Sequence, residues 1–348
     1  MRKFIKRCVK FAKLTLIYWL RIILAPNRFK LPFWKKLKAN LGGGYLADQY
    51  VLYDFDHNDK GEYISEFDWY RSRYINEPFN KMLDNKVICT EVLSHYIKVP
   101  AIQLGKNGRH LIQYLPDVKS YEDIVPLLKR VGKSFLKPIS AGKGKGVHLL
   151  QYEDGKVYID EEYVTDADLI RFLKKMPDWI MTEVIKQSEF LDTLYNKTTN
   201  TIRFITMKNP ETQKIKVFFA VQRIGTSKTI PVDNGSRGGL VSKIDLETGE
   251  LGVARSLHSL EVHEVHPDSK SPISGESIPN WTTIKEEVLA LANQFPFMHF
   301  IAWDLLLTED GVCVIEANTS SGPNIIQLWG GQRNDELGNF YRYHGIIK

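Results

Sequence analysis

Cysteine, early acidic charge and long apolar runs are what this chain of 348 residues has least of. Its three cysteines, Cys8, Cys89 and Cys313, lie far apart, are odd in number and form no CxxC pair. That excludes a disulfide framework and a cysteine-built zinc site, and suits a reducing cytosol. The uncharged apolar-rich run at residues 14–20 is far short of the roughly 20 residues a membrane span requires. No small-residue cleavage site follows it, so a signal peptide is not expected either. Acid is missing from residues 1–47, which hold twelve Lys or Arg. The other 35 Lys and Arg face 41 Asp and Glu, so the body carries −6 although the whole chain carries +6. Positive charge belongs to the N-terminus, and the body offers no general case for a nucleic-acid partner. No internal repeat or low-complexity tract is present.

What is there centres on residues 300–318. Two apolar runs flank Glu309-Asp310-Gly311, a hairpin signal. A three-residue loop pairs Thr308 with Val312 and therefore Asp304 with Glu316, and a period of two puts Asn318 on the same face. Trp303, Leu305, Leu307, Cys313, Ile315 and Ala317 fall on the other, apolar face. Like charges directly opposite each other destabilise a sheet, so positive charge belongs between them, and a hard cation such as Mg²⁺ suits oxygen donors. Removing either carboxylate is expected to stop turnover and leave folding intact.

At 100° per residue, Phe4, Ile5, Cys8, Phe11, Ala12, Leu16, Trp19, Ile22 and Ile23 share one face of an N-terminal helix. Lys3, Lys6, Arg7, Lys10, Lys13 and Arg21 share the opposite one. This is the pattern of a helix lying on an anionic membrane surface, or of one packed on its own domain. Pro26 ends it, and residues 28–38 continue the basic, aromatic character with Phe29, Phe33 and Trp34.

Further along, residues 86–96 read as a helix, residues 121–130 as a weaker one interrupted by Pro126. Residues 133–138 form a strand with Lys137 near its end. A loop holding Gly142, Gly144 and Gly146 with Lys143 and Lys145 follows, then a second strand to residue 152. Glycines allow close backbone approach to phosphate and the lysines supply charge. No GKS or GKT follows, so this is not a P-loop, and a strand in place of a helix excludes the dinucleotide fingerprint. Thr165-x-x-Asp168 opens a helix, and Thr283-x-x-Glu286 caps another. Residues 179–185 make a strand ending near Glu183. Residues 201–207 and 214–224 make a strand pair presenting Arg203 and Arg223, and DNGSRGGL in the loop 231–240 carries Arg237. The histidines at 258, 263 and 266 read as loop, not as a zinc site.

In this order, Lys86, FLKPISAGKGKGV at 135–147, TEVI at 182–185, NTIRF at 200–204, WDLLL at 303–307 and VIEAN at 314–318 resemble an ATP-grasp enzyme. NTIRF, His266-Pro267-Asp268, Ile278-Pro279-Asn280-Trp281 and the SSGPN ending make it most similar to the sugar-transfer associated ATP-grasp group, over roughly residues 80–330. The resemblance implies an α+β fold, with two α+β subdomains at 86–186 and 187–348 clamping ATP. Before them come a basic helical segment, 1–44, and a lead-in region, 45–85, where the wider superfamily has a Rossmann-like domain. It implies amide-bond formation through an acylphosphate, with a small-molecule carboxylate and an amine as partners. Lys86 and Lys137 then hold phosphate oxygens under the 142–146 loop, and Glu183 and the backbone near Ile185 meet the adenine. Asp304, Glu316 and Asn318 hold one or two Mg²⁺. Arg203 either stabilises the developing charge or holds the attacking carboxylate, and Arg223, Arg237 and Ser321 are substrate-pocket candidates. Joined to the amphipathic N-terminus, this predicts a ligase modifying a cell-surface polysaccharide or its precursor at the cytoplasmic membrane face, with a sugar or lipid-linked glycan as one partner. Two alternatives stay open: a kinase with a hydroxyl acceptor, and a nucleotide-binding scaffold without turnover. Presence of all three metal-ligand types and both lysines argues against the scaffold.

Overall fold

The computed structural model describes residues 2–140, 146–257 and 259–348, with the backbone alone for residues 2–7, 10 and 236. Gly142, Gly144, Lys143 and Lys145 of the expected phosphate loop, and His258, lie outside the described residues. Two seven-stranded antiparallel sheets carry the fold. The first is built from β1 (Ile102–Asn107), β2 (His110–Gln113), β3 (Lys133–Pro138), β4 (His148–Glu153), β5 (Lys156–Ile159), β6 (Glu162–Val164) and β7 (Trp179–Glu183), in the order β2-β1-β7-β3-β4-β5-β6. The second comprises β8 (Ile202–Lys208), β9 (Ile215–Ile224), β10 (Leu240–Ile244), β11 (Leu251–Ser256), β12 (Val262–His263), β13 (Phe300–Thr308) and β14 (Gly311–Asn318), in the order β12-β11-β10-β9-β8-β13-β14.

Alternation along the strands decides what each sheet face meets. In the first sheet Leu104, Leu136, Leu150, Trp179 and Met181 bury against Leu127 and Leu128 of helix Ile124–Val131 and Leu169 and Leu173 of helix Asp166–Lys175. Phe135, Lys137, Ile180 and Thr182 alternate with these and take the opposite face; the register pairs Lys137 with Ile180 and Phe135 with Thr182. In the second sheet Phe204, Ala220, Ile224, Trp303 and Leu305 pack under Trp281, Ile284 and Val288 of helix Trp281–Asn293. The other face buries Ile205, Phe219, Val221 and Ala302 against Ile64, Ile326 and Phe340.

Two local expectations change. Pro126 does not interrupt its helix: it sits in the first turn of Ile124–Val131, where backbone N–H groups have no intrahelical partner anyway. Helix Trp281–Asn293 starts from Asn280 in a left-handed conformation (φ 55°) with no side-chain cap, so Thr283 lies inside it and caps nothing. Thr165 does cap as expected, its Oγ1 accepting from the Asp168 amide at 3.2 Å.

The hairpin between β13 and β14 reaches its expected pairing by an unexpected route. Thr308 pairs with Gly311, so the loop has two residues, Glu309 and Asp310, one fewer than the sequence pattern suggests. A bulge then absorbs one residue: Leu305 pairs with Val314 but Asp304 with Glu316, leaving Ile315 as the extra residue. The bulge restores Asp304 opposite Glu316 and moves Cys313 off the expected apolar face, since it pairs with Leu306, two residues from Asp304.

The N-terminal helix runs Arg2–Ile17 and continues as a π-helix, Tyr18–Ile23, ahead of Pro26. Leu14, Ile17 and Tyr18 are half-buried, and the Tyr18 ring meets Phe67 edge-on at 5.0 Å. Lys13 lies over the Tyr74 ring at 5.4 Å. Phe11, Leu16 and Trp19 are exposed, as are Phe33 and Trp34 on the next helix, Phe33–Leu41. The wider π turn rotates Ile22 away from that exposed face, and Ile22 is buried. Ala39 joins Tyr45, Tyr50, Tyr53, Phe55 and Tyr63 in one aromatic core. This core straddles the boundary expected at residue 44, because its turns pack on each other and not on a linker.

The His266-Pro267-Asp268 stretch is a fastening. His266 is fully buried, stacks on Tyr195 at 4.6 Å and pairs through Nε2 with the Gly225 carbonyl at 2.7 Å. Its Nδ1 accepts from the Asp268 and Ser269 amides at 3.2 and 3.1 Å. Burial holds its pKa below the usual histidine range, and both ring nitrogens are committed to backbone, which leaves neither for a metal. His266→Ala is expected to cost roughly 2–3 kcal/mol of stability by stranding three backbone groups, read as a lower urea midpoint with nucleotide affinity unchanged.

Candidate active site

Lys86 opens helix Lys86–Leu93, which exists because Asn85 caps it: Asn85 Oδ1 accepts from the Val87 and Ile88 amides. The helix buries Cys89 and Leu93 in the second sheet's core while Val87 packs with Ile102, Ile139 and Ile180 of the first. It thus bridges the two sheets, and its first residue reaches across: Lys86 Nζ pairs with Glu316 Oε1 at 3.0 Å. Lys137 lies close enough to feel both charges. Burial pushes its ammonium down to about 8; Lys86 adds to that, while Glu316 and the Cys313 thiol act the other way. Among the described residues Lys137 has no hydrogen-bonded or ionic partner, only the face of Phe135 at 5.5 Å.

On the second sheet, Asp304 pairs across β13 and β8 with Arg203. The guanidinium grips it in a fork, Nε to Oδ1 at 2.6 Å and Nη2 to Oδ2 at 3.2 Å. Arg223, on β9, adds Nη1 to Asp304 Oδ1 at 3.3 Å and Nη2 to Asp233 Oδ1 at 2.7 Å. Asp233 is buried and accepts from both the amide and the hydroxyl of Thr201 at 2.6 Å. Burial pushes the Asp233 carboxyl up against the pull of Arg223, while Asp233 and Asp304 hold Arg223 firmly protonated despite its burial. The positive charge demanded by Asp304 facing Glu316 is therefore supplied by side chains: two arginines on one carboxylate, one lysine on the other.

The donor types still suit a hard cation, since two carboxylates and the Asn318 amide occupy register-paired positions on adjacent strands. Asn318 is only loosely held, its Nδ2 lying 3.5 Å from the Ala302 carbonyl. Among the described residues no three His, Cys, Asp or Glu side chains converge as a cation cage. A cation here would share its ligands with Arg203 and Lys86.

The remaining expected residues are scattered around this centre. Glu183 ends β7, and its Oε1 accepts from the Ala101 amide at 2.9 Å. Ile185 is half-buried against the second core. Gly146 has φ +70°, and a side chain there would press on Pro138. Ser321 is buried, its hydroxyl without a partner among the described residues. Arg237 is exposed in the turn Gly235–Arg237 and is not drawn into the Asp304 cluster. Its charge is felt by Asp160, in the turn between β5 and β6. Burial raises the Asp160 carboxyl, but hydrogen bonds from His148 and the Leu149 amide outweigh it, and Arg237 adds to the net lowering.

A void of about 20 Å³ lies among Lys86, Lys137, Thr182, Ile315 and Glu316. A larger cleft of about 780 Å³ lies alongside, between Pro138, Gly146, His148, Phe172 and Met176. The larger one is lined by Lys175 and Asp178, and by none of Lys86, Lys137, Asp304 and Glu316.

The profile of the sugar-transfer associated ATP-grasp family matches residues 67–336. The chain belongs to that family. The α+β arrangement of two antiparallel sheets is accordingly an ATP-grasp fold. No curated protein matches this family member. Among solved structures it is similar to the ATP-grasp ligase PsnB complexed with minimal precursor, Mg and ADP, at 14% identity and TM-score 0.38, over 71% of this chain and 53% of PsnB. It is also similar to D-alanyl-alanine synthetase A from Vibrio cholerae, at 13% identity and TM-score 0.44, over 76% of this chain and 63% of the other. A third is N5-carboxyaminoimidazole ribonucleotide synthetase from Thermotoga maritima, at 10% identity and TM-score 0.36, over 69% and 42%. The chain thus spans about half the length of the PsnB structure it matches.

Sequence reasoning missed Asp233, although it opens the DNGSRGGL loop already singled out. It also missed Thr182, whose buried Oγ1 has no partner among the described residues, and Ile315, which only the bulge turns toward the void. No sequence signal marks a bulge inside a run of β-branched and apolar residues.

Proposed function

We propose that this ATP-grasp protein is an ATP-dependent carboxylate–amine ligase acting on a sugar-bearing or glycan-linked substrate at a membrane surface. The observation that carries it is the convergence of Lys86 and Lys137 beside Glu316, next to an arginine-clamped Asp304, at the junction of the two sheets. Phosphoryl transfer asks a protein for positioning and charge neutralisation more than covalent help, and this is a site of fixed charges. Residues 86–186 act as the nucleotide-binding half and residues 187–348 as the half holding the carboxylate cluster. Lys86 and Lys137 hold phosphate oxygens beneath the loop that Gly146 closes, with Glu183 and the backbone near Ile185 at the adenine edge. The substrate carboxylate attacks the γ-phosphorus to give an acylphosphate and ADP; the amine then attacks the acyl carbon, releasing phosphate and a proton. Arg203 carries a bidentate fork suited to that carboxylate or to the transferred group, with Arg223, Arg237 and Ser321 as further substrate contacts. One or two Mg²⁺ on Asp304, Glu316 and Asn318 would neutralise phosphate charge.

The test is ATP consumption screened against amino acids and sugar acids, with products identified by mass spectrometry. An amide product supports the ligase; a phosphorylated hydroxyl alone would move the protein to the kinases.

The membrane part rests on charge and exposure together. No helix among the described residues is long and apolar enough to span a bilayer. Yet Phe11, Leu16, Trp19, Phe33 and Trp34 stand exposed within a segment that has twelve basic residues and no acid. Each Lys or Arg near an anionic surface contributes about 1 kcal/mol, attenuated by salt, and the aromatic side chains add a less salt-sensitive term. Full-length protein is expected to cosediment with phosphatidylserine vesicles, less so at high salt, and Trp19→Glu with Trp34→Glu should abolish it. Undiminished cosedimentation of the double variant would remove this surface from the membrane account.

A further inference from the structure

The SSGPN stretch ends in Asn324, which the site above does not use. Its Oδ1 accepts two hydrogen bonds, from Gln49 Nε2 at 2.7 Å and from the Tyr53 hydroxyl at 2.8 Å. Gln49 is fully buried; its Nε2 also donates to Glu66 Oε2 at 3.1 Å, and its Oε1 accepts from the Leu46 amide at 2.9 Å. Gln327 repeats the device one turn later. Its Oε1 accepts from the Ile64 amide at 2.7 Å and its Nε2 donates to the Ile64 carbonyl at 2.9 Å. Upstream, buried Asn40 donates to the Ile22 and Tyr45 carbonyls at 3.2 and 2.9 Å. Three buried carboxamides, Asn40, Gln49 and Gln327, and the half-buried Asn324 therefore run from the N-terminal helical region to the segment that follows β14.

Apolar packing alone would hold these segments together without fixing their register. A buried carboxamide deprived of its partner costs about 1–3 kcal/mol, so each of these pairs admits one alignment. What they align is the loop at residues 319–322, set between Asn318 and helix Pro323–Gln327. In that loop the Ser321 hydroxyl is buried and has no partner among the described residues, and the position of a Gly322 side chain would be open space. A buried hydroxyl without a partner beside open space is a group waiting for a hydrogen-bonding ligand.

We infer that Gln49 is a positioning residue for the acceptor half of the site: through Asn324 it sets the 319–322 loop, whose Ser321 hydroxyl takes a polar group of the amine-bearing substrate. The segment that holds Gln49, Tyr53 and Ile64 is then part of the catalytic body. The inference rests on the ligase reading for the identity of the substrate, but not for the coupling.

Gln49→Met keeps length and removes the carboxamide; Asn324→Leu removes the shared acceptor; Asn324→Asp keeps an oxygen facing both donors. Three readouts apply to the full chain: MgADP affinity by calorimetry, amide exchange of residues 319–328 against residues 124–131, and KM against kcat with the acceptor found in the screen. Gln49→Met and Asn324→Leu are expected to speed exchange in 319–328 at least tenfold while 124–131 and MgADP affinity stay within twofold. Acceptor KM should rise about tenfold with a smaller change in kcat, and Asn324→Asp should behave near wild type. Unchanged exchange at 319–328 in Gln49→Met overturns the inference, as does faster exchange in both segments with a parallel loss of MgADP affinity. A kinase product with altered exchange would instead reject the ligase reading and keep the coupling.

Discussion

Asp304→Asn is expected to lower ATP-dependent turnover by three orders of magnitude or more and to destabilise the protein, whereas Glu316→Gln should cost activity with little loss of stability. The difference follows from what each carboxylate holds. Asp304 is almost fully enclosed and binds Arg203 through both oxygens and Arg223 through one. Neutralising it leaves Arg203 buried against an amide, and stranding a buried charge costs about 3–5 kcal/mol. Arg223 is less affected because Asp233 remains. Glu316 is about a third exposed and, among the described residues, is ion-paired with Lys86, an arrangement worth about 1 kcal/mol or less. Folding was expected to survive both changes on the sequence alone; the arginine clamp is the reason it should not survive the first unscathed. Urea midpoints and turnover measured on the same preparations separate the two effects. Near-normal turnover in either variant would remove the hairpin from the active site. An unchanged midpoint in Asp304→Asn would refute the buried-pair account.

Lys137→Ala is expected to weaken ATP and ADP binding by about a hundredfold while leaving AMP within a few-fold, since its proposed partners are phosphates beyond the first. Wild-type affinity should in addition fall with rising pH above about 8. Burial lowers the folded-state pKa of Lys137 from 10.5 to about 8. Between those two values the unfolded chain holds a proton that the folded chain has released, so the stability of the free protein rises with pH across that window. The polyphosphate has the opposite preference: it binds the ammonium and draws a proton onto it. Affinity therefore declines as Lys137 loses its charge, by at most tenfold per pH unit. Lys137→Arg, charged throughout, should flatten that profile. Calorimetric titrations with ADP and AMP from pH 7 to 9.5 read both effects. Equal weakening of AMP and ADP in Lys137→Ala would make the lysine structural, and a flat wild-type profile would contradict its depressed pKa.

Much of the fold was legible because strands here announce themselves by composition and period. The limits of β3, β7, β8 and β9 fall within two residues of those expected, and the order of motifs named the family later shown by its profile. One helix start was read less well, since Trp281–Asn293 begins from Asn280 by backbone geometry and not by the Thr283 cap that the sequence displays. The charged residues of the candidate site were found singly. Their pairings were not, because Arg203, Arg223 and Asp233 meet across three chain segments whose juxtaposition depends on strand order.

The sequence by itself determined which chemical groups this protein brings: oxygen donors two apart on β14 and opposite on β13, a lysine at the end of β3, and a wholly basic start. Those facts are local, set by side-chain alternation over a few residues. The tertiary structure decided who neutralises whom, placing arginines on Asp304 and Lys86 on Glu316, because charges buried at one place select partners by distance in space. It decided as well that the bulge at Ile315, and not loop length, sets the register, since the core on both faces of β13 must be filled. And it decided that residues 49–64 are folded onto helix Pro323–Gln327 after β14, because the carboxamides of Gln49 and Gln327 bind only partners that packing delivers to them.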